Sequence, residues 1–448
     1  MKTVVCVKII KGEINPFDAA ALEAALRADP SEITVLCMGP MIAQDPLRAL
    51  TRLGNLRVIL LSDLVFAGSD TLATAQVLSA AIRKLDPDLI FCGRQSIDGD
   101  TAQVGPCLAA KLDWNLIANV LKFGSENCET RTGSEPVAIP SVLTFERIYP
   151  LRFPSLRSKI GEIEIWDNKI LGIDPARCGL AGSPTRVRET FESDRGRRKC
   201  RFISRSELEP LIRDLLQKPN RKRKIAESKK KFPAVWAVGH EVEKEAFAIA
   251  DQVIFLEKES PKIIAEKVKK EKPEVVLWNA DLWGRKTAPQ VAGILDLGLA
   301  ADCTMLETDG KILSMYRPAF EARLLAKVES LARPQMATVR TTEISGKLIA
   351  AAGRGVAAQY DQIRRFADHL GAEFAASRGL VDEGIAPYEM QIGLTGRQVA
   401  PKIYLAIGIS GAVHHTCAIE NAEYIIAINK DKDARIFDYA DFGVIEEF

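Results

Sequence analysis

The chain has 448 residues, of which 47% are hydrophobic and 27% charged, and its formal net charge is only +2. This length corresponds to roughly three domains of about 150 residues each. The composition excludes a disordered, collagen-like or coiled-coil protein, and no apolar run approaches the ~18 residues of a membrane-spanning helix. We therefore expect a cytoplasmic protein without a membrane span.

Short apolar or β-branched runs alternate along the chain with segments of helical periodicity, such as 18–26 and 71–84. The predicted strands are 3–9, 33–38, 58–61, 89–92, 233–238, 253–255, 275–278, 348–352, 403–407 and 425–428. Strands that alternate with helices form parallel sheets. The sequence therefore predicts an α/β fold made of three parallel-sheet, Rossmann-like domains.

Cysteine spacing and charge distribution limit the kinds of site that the chain can carry. The nine cysteines are scattered singly and form no CxxC pair. This spacing argues against a disulfide framework and against zinc or iron–sulfur sites, so we expect no metal. Residues 195–231 hold fifteen Lys or Arg and four Asp or Glu, a net +11 that leaves −9 for the rest of the chain. Because this segment contains no nucleic-acid-binding module, we interpret it as a solvated linker, with a contact to a partner or polyanion as the alternative, and expect no nucleic acid partner.

An internal similarity indicates two related domains in tandem. Residues 86–113 and 272–296 each contain a charged turn with proline, an apolar strand and a helix that follows a glycine, and Asp86 and Lys272 are 186 residues apart. These elements recur in any α/β protein, so the similarity alone also fits two unrelated units. The basic run 221–224 is the expected join between the two domains.

Loops at the predicted strand ends carry the candidate site residues. Residues 93–101 follow the strand 89–92, and Asp98, Asp100 and Thr101 are candidate caps of the helix that continues through Ala110. Helix N-termini at the carboxyl ends of strands bind phosphate groups, so this loop fits a nucleotide site, and it equally fits an ordinary polar turn.

The last hundred residues contain more loops of this kind, although no G-x-G-x-x-G follows a predicted strand and no P-loop or H-E-x-x-H motif occurs. The loops 352–355, 377–378, 391–401 and 408–415 combine glycine with Arg, Ser, Thr and His. Glycine lets the backbone approach a ligand, and the cationic side chains neutralise negative charge. This pattern favours a large anionic ligand.

With these loops, the sequence resembles the electron transfer flavoproteins over nearly its whole length. Residues 1–217 are similar to the family's β subunit, and the residues from about 232 onward are similar to its α subunit. The motifs that carry the resemblance are Asn15-Pro16-Phe17-Asp18, Met38-Gly39-Pro40, 93–105 and 179–187 in the first half, and 301–304, 317–320, 333–340, 427–431 and the loops above in the second. The resemblance implies a β-like half followed by an α-like half in one chain, with domains at 1–217, 232–340 and 341–448 and a basic linker at 218–231.

The resemblance also implies that the carboxyl-terminal domain binds FAD. The residues matched to the family's FAD site are Arg354, Ser377, Arg378, Ile392, Gly393, Leu394, Thr395, Ser410, Gly411, Ala412, Val413, His414, His415, Asn429, Glu447 and Phe448. Arg378 and His415 would stabilise an anionic, one-electron-reduced flavin, and Thr395 would offer its hydroxyl to the ring. Leu394 and His414 stand where the family usually has glutamine, and Leu394 removes a hydrogen-bonding group beside the flavin.

A second nucleotide is implied in the β-like half. Its matched residues are Cys6, Asn15, Pro16, Phe17, Asp18, Met38, Gly93, Arg94, Gln95, Ser96, Ile97, Asp98, Gly99, Asp100, Thr101, Ala102, Gln103 and Val104. In ordinary members this ligand is AMP, and in electron-bifurcating members it is a second FAD that accepts a hydride from NADH. The segments 66–74 and 99–106 favour the second FAD.

The implied role is an electron carrier that works with a flavin-dependent dehydrogenase, of the acyl-CoA dehydrogenase kind or similar, with NADH as a further candidate donor. Such a carrier needs no catalytic residue. Leu156, in the loop 153–159, matches the family's partner-recognition loop. The alternatives are a simple one-electron shuttle with structural AMP and, from another class, a non-redox module that binds an adenine nucleotide.

Overall fold

The computed structural model describes residues 1–28, 30–192, 197–219, 228–320, 324–341, 346–394 and 396–448. The described residues form two compact units. Unit 1 contains those within Met1–Thr190, Ala226–Phe320 and Ala326–Val339, and unit 2 contains the remainder. Most of the predicted basic linker lies outside the described residues.

The first part of unit 1 is a nine-stranded sheet with helices on both faces. Its elements are β1 (Lys2–Val7), β2 (Ile9–Ile10), β3 (Glu13–Ile14), α1 (Pro16–Ala28), β4 (Glu32–Met38), α2 (Gln44–Leu50), β5 (Leu56–Leu61), α3 (Thr71–Leu85), β6 (Leu89–Gly93), α4 (Val104–Leu112), β7 (Asn115–Lys122), β8 (Asn127–Thr130), β9 (Gly133–Pro136), β10 (Ser141–Phe145), β11 (Glu164–Trp166), α5 (Asn168–Leu171) and β12 (Thr185–Glu192). The strand order of the nine-stranded sheet is β11-β5-β4-β1-β6-β10-β7-β8-β9, parallel from β11 to β7. Strands β2 and β3 pair with each other, and β12 belongs to a separate four-stranded sheet. Along β1, Val5 and Val7 enter one apolar core, and Val4 and Cys6 enter the other. The alternation of side chains along a strand thus accounts for the apolar runs that predicted these strands.

The second part of unit 1 repeats this plan on a smaller scale. After β13 (Arg201–Phe202) and α6 (Arg205–Gln217), which belong to unit 2, come β14 (Phe232–Val238), α7 (Glu243–Ile249), β15 (Ala250–Leu256), α8 (Pro261–Glu271), β16 (Val275–Asn279), α9 (Leu282–Leu295), β17 (Leu299–Cys303), β18 (Met305–Thr308), β19 (Leu313–Ala319), β20 (Leu324–Ser330) and β21 (Gln335–Val339). The parallel sheet has the order β15-β14-β16-β21-β17, which matches β4-β1-β6-β10-β7 of the first sheet. Left-handed residues end the paired helices at the same places, Asp86 and Lys272 after α3 and α8, and Asp113 and Asp296 after α4 and α9.

The two repeats meet where helix α4 packs against helix α9. The Cys107 thiol donates a hydrogen bond to the Pro289 carbonyl at 3.2 Å. A Cβ atom at Gly293 would lie 2.9 Å from the Ala110 Cβ and 3.1 Å from the Cys107 carbonyl oxygen. Glycine is therefore needed at this position because the two helix backbones approach too closely for a side chain.

Unit 2 is a seven-stranded parallel sheet. Its further elements are β22 (Leu348–Ala352), α10 (Tyr360–His369), β23 (Glu373–Ser377), α11 (Arg378–Asp382), β24 (Gln391–Ile392), β25 (Ile403–Ile407), α12 (Val413–Thr416), β26 (Tyr424–Asn429) and β27 (Phe442–Ile445). The strand order is β13-β27-β26-β25-β22-β23-β24. Without β13 the order reads 3-2-1-4-5-6 in chain sequence, which is the arrangement of a Rossmann sheet. The α/β class and the Rossmann-like sheets predicted from the sequence are confirmed.

Strand β13 and helix α6 lie in unit 2, although the sequence placed residues up to 217 in the first domain. Strand β13 pairs in parallel with β27, at Arg201 with Phe442 and Phe202 with Gly443. Helix α6 begins with a capping box, in which the Ser204 hydroxyl and the Glu207 carboxylate satisfy each other's backbone N–H groups. Its apolar face, Leu208, Ile212 and Leu215, is fully buried in the unit 2 core. Within the described residues, no helix is long and apolar enough to cross a membrane.

We expect Gly293→Val to destabilise unit 1. The side chain must displace the Ala110 methyl group and the backbone of α4, and overpacking of this kind costs about 1–3 kcal/mol, partly offset by the higher helix propensity of valine. Chemical unfolding measures the change in the free energy of unfolding. The control is Ile294→Ala, because the neighbouring Ile294 side chain is 40% exposed and its truncation should cost less than about 0.5 kcal/mol. A Gly293→Val protein as stable as the parent would contradict close packing of the two helices.

Candidate functional site

The carboxyl edge of the unit 2 sheet gathers loops from six strands. Strand β22 lies at the centre, and the chain proceeds from it to β23 and β24 on one side and to β25, β26 and β27 on the other. In open α/β sheets, ligands bind outside the carboxyl ends of the strands at the point where the strand order reverses. The reversal here lies between β22 and β25, so the loops after these two strands border the expected crevice.

These two loops approach each other through glycine. The Gly355 N–H donates a hydrogen bond to the Gly408 carbonyl at 3.2 Å, and a Cβ atom at Gly353 would lie 2.2 Å from the same oxygen. The segment from Gly353 to Ala358 reads G-x-G-x-x-A directly after β22. This is the alanine variant of the dinucleotide fingerprint. Gly353 and Gly355 were not among the predicted site residues, because the segment does not fit the G-x-G-x-x-G form of that fingerprint.

The structure places the described residues of the predicted FAD site along this edge. By strand end they are Arg354 after β22; Ser377 and Arg378 at the end of β23; Ile392, Gly393 and Leu394 at the end of β24; Ser410, Gly411, Ala412, Val413, His414 and His415 after β25; Asn429 at the end of β26; and Glu447 and Phe448 after β27. Thr395 lies outside the described residues. Arg354, Ser410, His414 and Glu447 are exposed, whereas Ile392, Leu394 and His415 are buried. The edge thus has a buried floor and an exposed polar margin.

Hydrogen bonds between neighbouring loops hold this edge in shape. The Leu394 N–H donates to the His414 carbonyl at 2.6 Å, and the Asn429 side-chain amide donates to the Ile409 carbonyl at 3.0 Å. The Arg378 guanidinium forms an ion pair with Asp382 at 3.1 Å and remains partly exposed. Glycine backbone, a cationic margin and a buried floor together fit an anionic dinucleotide such as FAD.

The resemblance leaves two states open for His415, a positively charged donor and a neutral, polarisable one. Its side chain is buried, and burial lowers the pKa to about 4, with a smaller contribution from His414 and a partial offset from the Ile392 backbone. The imidazole is therefore neutral at physiological pH. Its Nε2 lies 2.9 Å from the hydroxyl of Tyr404, which is fully buried in β25. Sequence alone did not reveal this, because it gives no measure of burial at a loop residue.

Unit 1 has a comparable edge beside β1 and β6, where Asp18 is the central polar group. Its carboxylate accepts hydrogen bonds from the Lys8 N–H at 2.8 Å and from the Gly93 N–H at 3.1 Å. A Cβ atom at Gly93 would lie only 2.2 Å from the Asp18 carboxylate. Burial raises the pKa of Asp18 to about 7, although these N–H groups, Asn15 and the Lys8 charge all act to lower it. Asp18 thus connects the ends of the two central strands through a carboxyl group that titrates near neutral pH.

The predicted capping of α4 by Asp98, Asp100 and Thr101 is wrong. Helix α4 begins at Val104, and no side-chain hydrogen bond caps it at Gln103. The Asp98 carboxylate instead binds Lys8 Nζ at 2.7 Å and the Gly99 N–H. Asp100 has a left-handed backbone and accepts a hydrogen bond from the Gln95 amide. Lys8 was absent from the predicted site because a single lysine after a strand carries no motif.

The other residues predicted for the second nucleotide lie near the carboxyl ends of β1, β4 and β6, in the loop after β6, or at the starts of α1 and α4. The Asn15 side chain bonds the Gln95 carbonyl at 2.8 Å and accepts from the Ile97 N–H at 3.3 Å, so it fixes the loop after β6. The Arg94 guanidinium lies over the Phe17 ring and near Glu146, 3.4 Å away. The Gln103 side chain bonds the Leu299 carbonyl, which belongs to the second repeat. The structure therefore brings together most of these residues, but directs Gln103 toward the repeat contact.

The corresponding edge of the second repeat is occupied by its own side chains. Lys258 Nζ binds Glu241 at 2.6 Å and Asp281 at 3.1 Å and lies over the Trp283 ring. Burial alone would lower the pKa of Lys258, but the hydrogen bonds with the two carboxylates outweigh it and raise the pKa. One lysine and two carboxylates therefore form a partly exposed ion-pair cluster at this edge, whereas the edge around Asp18 has a buried carboxyl group.

We expect the Asp18 carboxyl to titrate near pH 7, which ¹³C NMR of the side-chain carboxyl measures directly. The folded state binds this proton more tightly than the unfolded state, whose Asp has its ordinary pKa of 3.8. The free energy of unfolding should therefore fall as pH rises from about 4 to about 7, by about 1–4 kcal/mol relative to Asp18→Asn.

Glu23 on the same helix supplies the control with the opposite sign. Burial opposes its ionisation, but hydrogen bonds with Arg152 and Arg27 outweigh this and lower its pKa. Its contribution to stability should therefore be lost as pH falls, and Glu23→Gln should remove that loss. A carboxyl signal of Asp18 that titrates near pH 4 would refute the burial argument.

Comparison with known proteins agrees with this arrangement. The model of the electron transfer flavoprotein domain matches residues 3–139 and again residues 223–363, which correspond to the two repeats, and the model of the electron transfer flavoprotein FAD-binding domain matches residues 344–420. The match to residues 344–420 supports FAD in the carboxyl-terminal region, where the loops of β22 to β25 meet.

Each of the following relatives aligns with about half of the chain. Protein FixA of Azorhizobium caulinodans is 39% identical over 222 residues, which are 44% of this chain and 79% of that protein. The electron transfer flavoprotein subunit alpha of Thermoanaerobacterium thermosaccharolyticum is 33% identical over 284 residues, or 50% of this chain and 86% of that protein. Protein FixB of Bradyrhizobium diazoefficiens is 32% identical over 252 residues, or 45% of this chain and 68% of that protein. The chain belongs to the electron transfer flavoprotein family.

Proposed function

We propose that the chain is a fused electron transfer flavoprotein, a β-like half followed by an α-like half, that carries electrons through FAD bound in unit 2. The observation that carries this proposal is the edge of the Rossmann-ordered sheet, where the G-x-G-x-x-A segment and the loop after β25 meet at the reversal of strand order. FAD supplies reversible one- and two-electron redox chemistry when bound. The domain limits of the proposal are those of the sequence analysis, except that β13 and α6 belong with the FAD-binding unit.

The residues of unit 2 would divide the tasks of binding and tuning. Gly353 and Gly355 allow the backbone to approach the phosphates, and Arg354, exposed beside them, neutralises their charge. Arg378 places a positive charge at the end of β23, where it stabilises negative charge on a ligand and raises its reduction potential. Buried Ile392 and Leu394 exclude water from the floor of the site.

We propose further that the edge around Asp18 binds a second FAD, and that the chain accepts an electron pair from NADH and divides it between two acceptors. The support is the loop of residues 93–103, fixed by Asn15 and by Lys8, which follows the reversal of strand order between β1 and β6. The second repeat differs at the corresponding edge, where Lys258 forms ion pairs with Glu241 and Asp281. AMP held at the same place, in a one-electron shuttle, is the competing proposal.

We expect two FAD molecules and no AMP per chain when the purified protein is denatured with acid and its nucleotides are separated. Gly93→Ala should release the FAD of unit 1 alone, because the new methyl group collides with Asp18. Gly353→Ala should release the FAD of unit 2 alone, because its methyl group collides with the Gly408 carbonyl. Each variant is the control for the other.

Anaerobic NADH should bleach the flavin absorbance of the parent protein and fail to do so in the Gly93→Ala protein. One FAD and one AMP per chain, together with no bleaching by NADH, would overturn the second-FAD proposal and favour the shuttle. Absence of any flavin would favour the non-redox module.

We also propose that the loop of residues 153–159 docks the partner, a flavin-dependent dehydrogenase. The Leu156 side chain is 98% exposed and that of Phe153 94% exposed. Arg157 and Lys159 follow them in the chain. Apolar side chains surrounded by charge are typical of the centre of a protein interface, and a fully exposed leucine has no role in the core.

Leu156→Ala should slow reduction of the bound FAD by the dehydrogenase about tenfold, because loss of an interface anchor costs ~1.4 kcal/mol or more. Stopped-flow absorbance of the flavin measures the rate. Leu64→Ala is the matched control, since Leu64 is 92% exposed on another loop of unit 1. Equal rates in the Leu156 and Leu64 variants would argue against docking at this loop, and loss of folding in the Leu156 variant would show a structural role.

A further inference from the structure

The loop of residues 153–159 ends in a tight turn that its own hydrogen bonds hold together. The Ser155 carbonyl accepts hydrogen bonds from the Ser158 N–H at 3.1 Å and from the Ser158 hydroxyl at 2.6 Å. The Arg157 N–H donates to the Ser155 hydroxyl at 3.3 Å. Leu156 occupies the second position of this turn and is 98% exposed. Because Leu156 remains in water, burial of its side chain does not fix the position of the turn, which depends on the residues before and after it.

The residue before the loop, Arg152, is held by Glu23 of helix α1. The Arg152 backbone N–H donates to the Glu23 carboxylate at 3.1 Å, and the Arg152 guanidinium donates to both carboxylate oxygens at 3.0 Å. Charged hydrogen bonds of this forked geometry are among the strongest in proteins. The Glu23 side chain is buried, whereas that of Arg152 is 42% exposed. A buried carboxylate on a core helix thus fixes both the backbone and the side chain at the start of the loop.

Glu23 also holds the segment three residues earlier, through Arg27. The Arg27 guanidinium donates to the Glu23 carboxylate at 2.9 Å and lies 4.5 Å from the centre of the Tyr149 ring. Tyr149 and Leu151 pack against an apolar core of the first sheet. The approach to the loop is therefore fixed by apolar packing and by two arginines that share one carboxylate.

The far side of the loop is held by the short segment that follows helix α2. The Gly161 N–H donates to the Thr51 hydroxyl at 2.7 Å, and the Arg52 guanidinium donates to the Ser155 carbonyl at 3.4 Å. The first of these hydrogen bonds joins two neutral groups, and the second is long. Hydrogen bonds between two ionised groups are stronger than neutral ones, so the attachment at Glu23 is the stronger of the two.

We propose that Glu23 is a positioning residue for partner docking, which holds Arg152 and so keeps Leu156 in the conformation that the partner binds. The inference rests on the proposed function, because Glu23 has this role only if the loop docks the dehydrogenase. A loop that is ordered before binding loses less conformational entropy on association than a loop that must become ordered. Glu23 is 3% exposed and therefore acts through Arg152, without touching the partner.

Hydrogen–deuterium exchange of the peptide that spans residues 149–163 tests the ordering of the loop. Glu23→Gln keeps the size of the side chain and removes its charge, so the backbone amides of the loop should exchange faster than in the parent protein. Glu329→Gln is the matched control and should leave this exchange unchanged. Glu329, on β20 of the second repeat, is also a mostly buried carboxylate and pairs with Arg188 at 2.8 Å.

Steady-state electron transfer tests the effect on docking, with an acyl-CoA dehydrogenase and its acyl-CoA substrate as the electron donor. Glu23→Gln should raise the KM of the dehydrogenase for the chain about threefold to tenfold and leave kcat unchanged, because an ordered loop favours association and not the transfer step. Arg152→Lys should act in the same direction, since lysine keeps the charge and loses the forked hydrogen bonds, and it replaces the Glu23 variant if that protein does not fold. In a Leu156→Ala background, Glu23→Gln should have no further effect, because Glu23 acts through the presentation of Leu156.

The outcomes distinguish this inference from the proposed function. An unchanged KM in the Glu23→Gln protein, or a further rise in KM when Glu23→Gln is added to Leu156→Ala, would overturn the positioning role and leave docking at the loop intact. Loss of FAD from the Glu23→Gln protein would show a general structural role and would also overturn it. Equal rates in the Leu156→Ala and Leu64→Ala proteins, or a parent chain that accepts no electrons from the dehydrogenase, would overturn the docking proposal and with it the role of Glu23, whatever the exchange in the loop.

Discussion

Parallel pairing on both sides of a central strand determines where each unit can hold a ligand. In unit 1, β1 lies between β4 and β6, so the backbones of Lys8 and Gly93 emerge side by side under the Asp18 carboxylate. In unit 2, β22 lies between β23 and β25, so Gly353 and Gly408 come into direct contact. The chain first adds strands on one side of the central strand and later adds strands on its other side. The loops at the carboxyl edge therefore diverge there, and a crevice opens between them. The chemistry of each unit is consequently concentrated at one sheet edge.

The two repeats carry different side chains at the corresponding edge of their sheets. Both repeats use the same central strand order, and α4 and α9 pack against each other through Gly293. The first repeat leaves a buried carboxyl at its edge, which costs free energy above neutral pH because Asp18 must then ionise away from water. At the corresponding edge of the second repeat, Lys258 forms ion pairs with two carboxylates, Glu241 and Asp281. The two repeats therefore place different polar groups at the same edge, a buried carboxyl in the first and an ion-pair cluster in the second.

The sequence predicted the α/β class, ten of the strands within a few residues and the loops at the unit 2 edge, because apolar periodicity and strand-end glycines are local signals. The prediction from the sequence was wrong or incomplete where the decisive interaction joins residues that are far apart in the chain. Asp98 binds Lys8 instead of capping α4. The pairing of β13 with β27, about 240 residues away, has no local signal at all.

The placement of β13 and α6 has a consequence for the synthesis of the chain. Residues 201–217 emerge from the ribosome long before β25, β26 and β27, the strands whose sheet they complete. Until then the apolar face formed by Leu208, Ile212 and Leu215 has no native partner, while the second repeat folds in between. Exposed apolar faces in unfinished chains attract chaperones and aggregate with one another. We therefore expect the risk of aggregation to be greatest during translation, because helix α6 is synthesised early and most strands of its sheet are synthesised last.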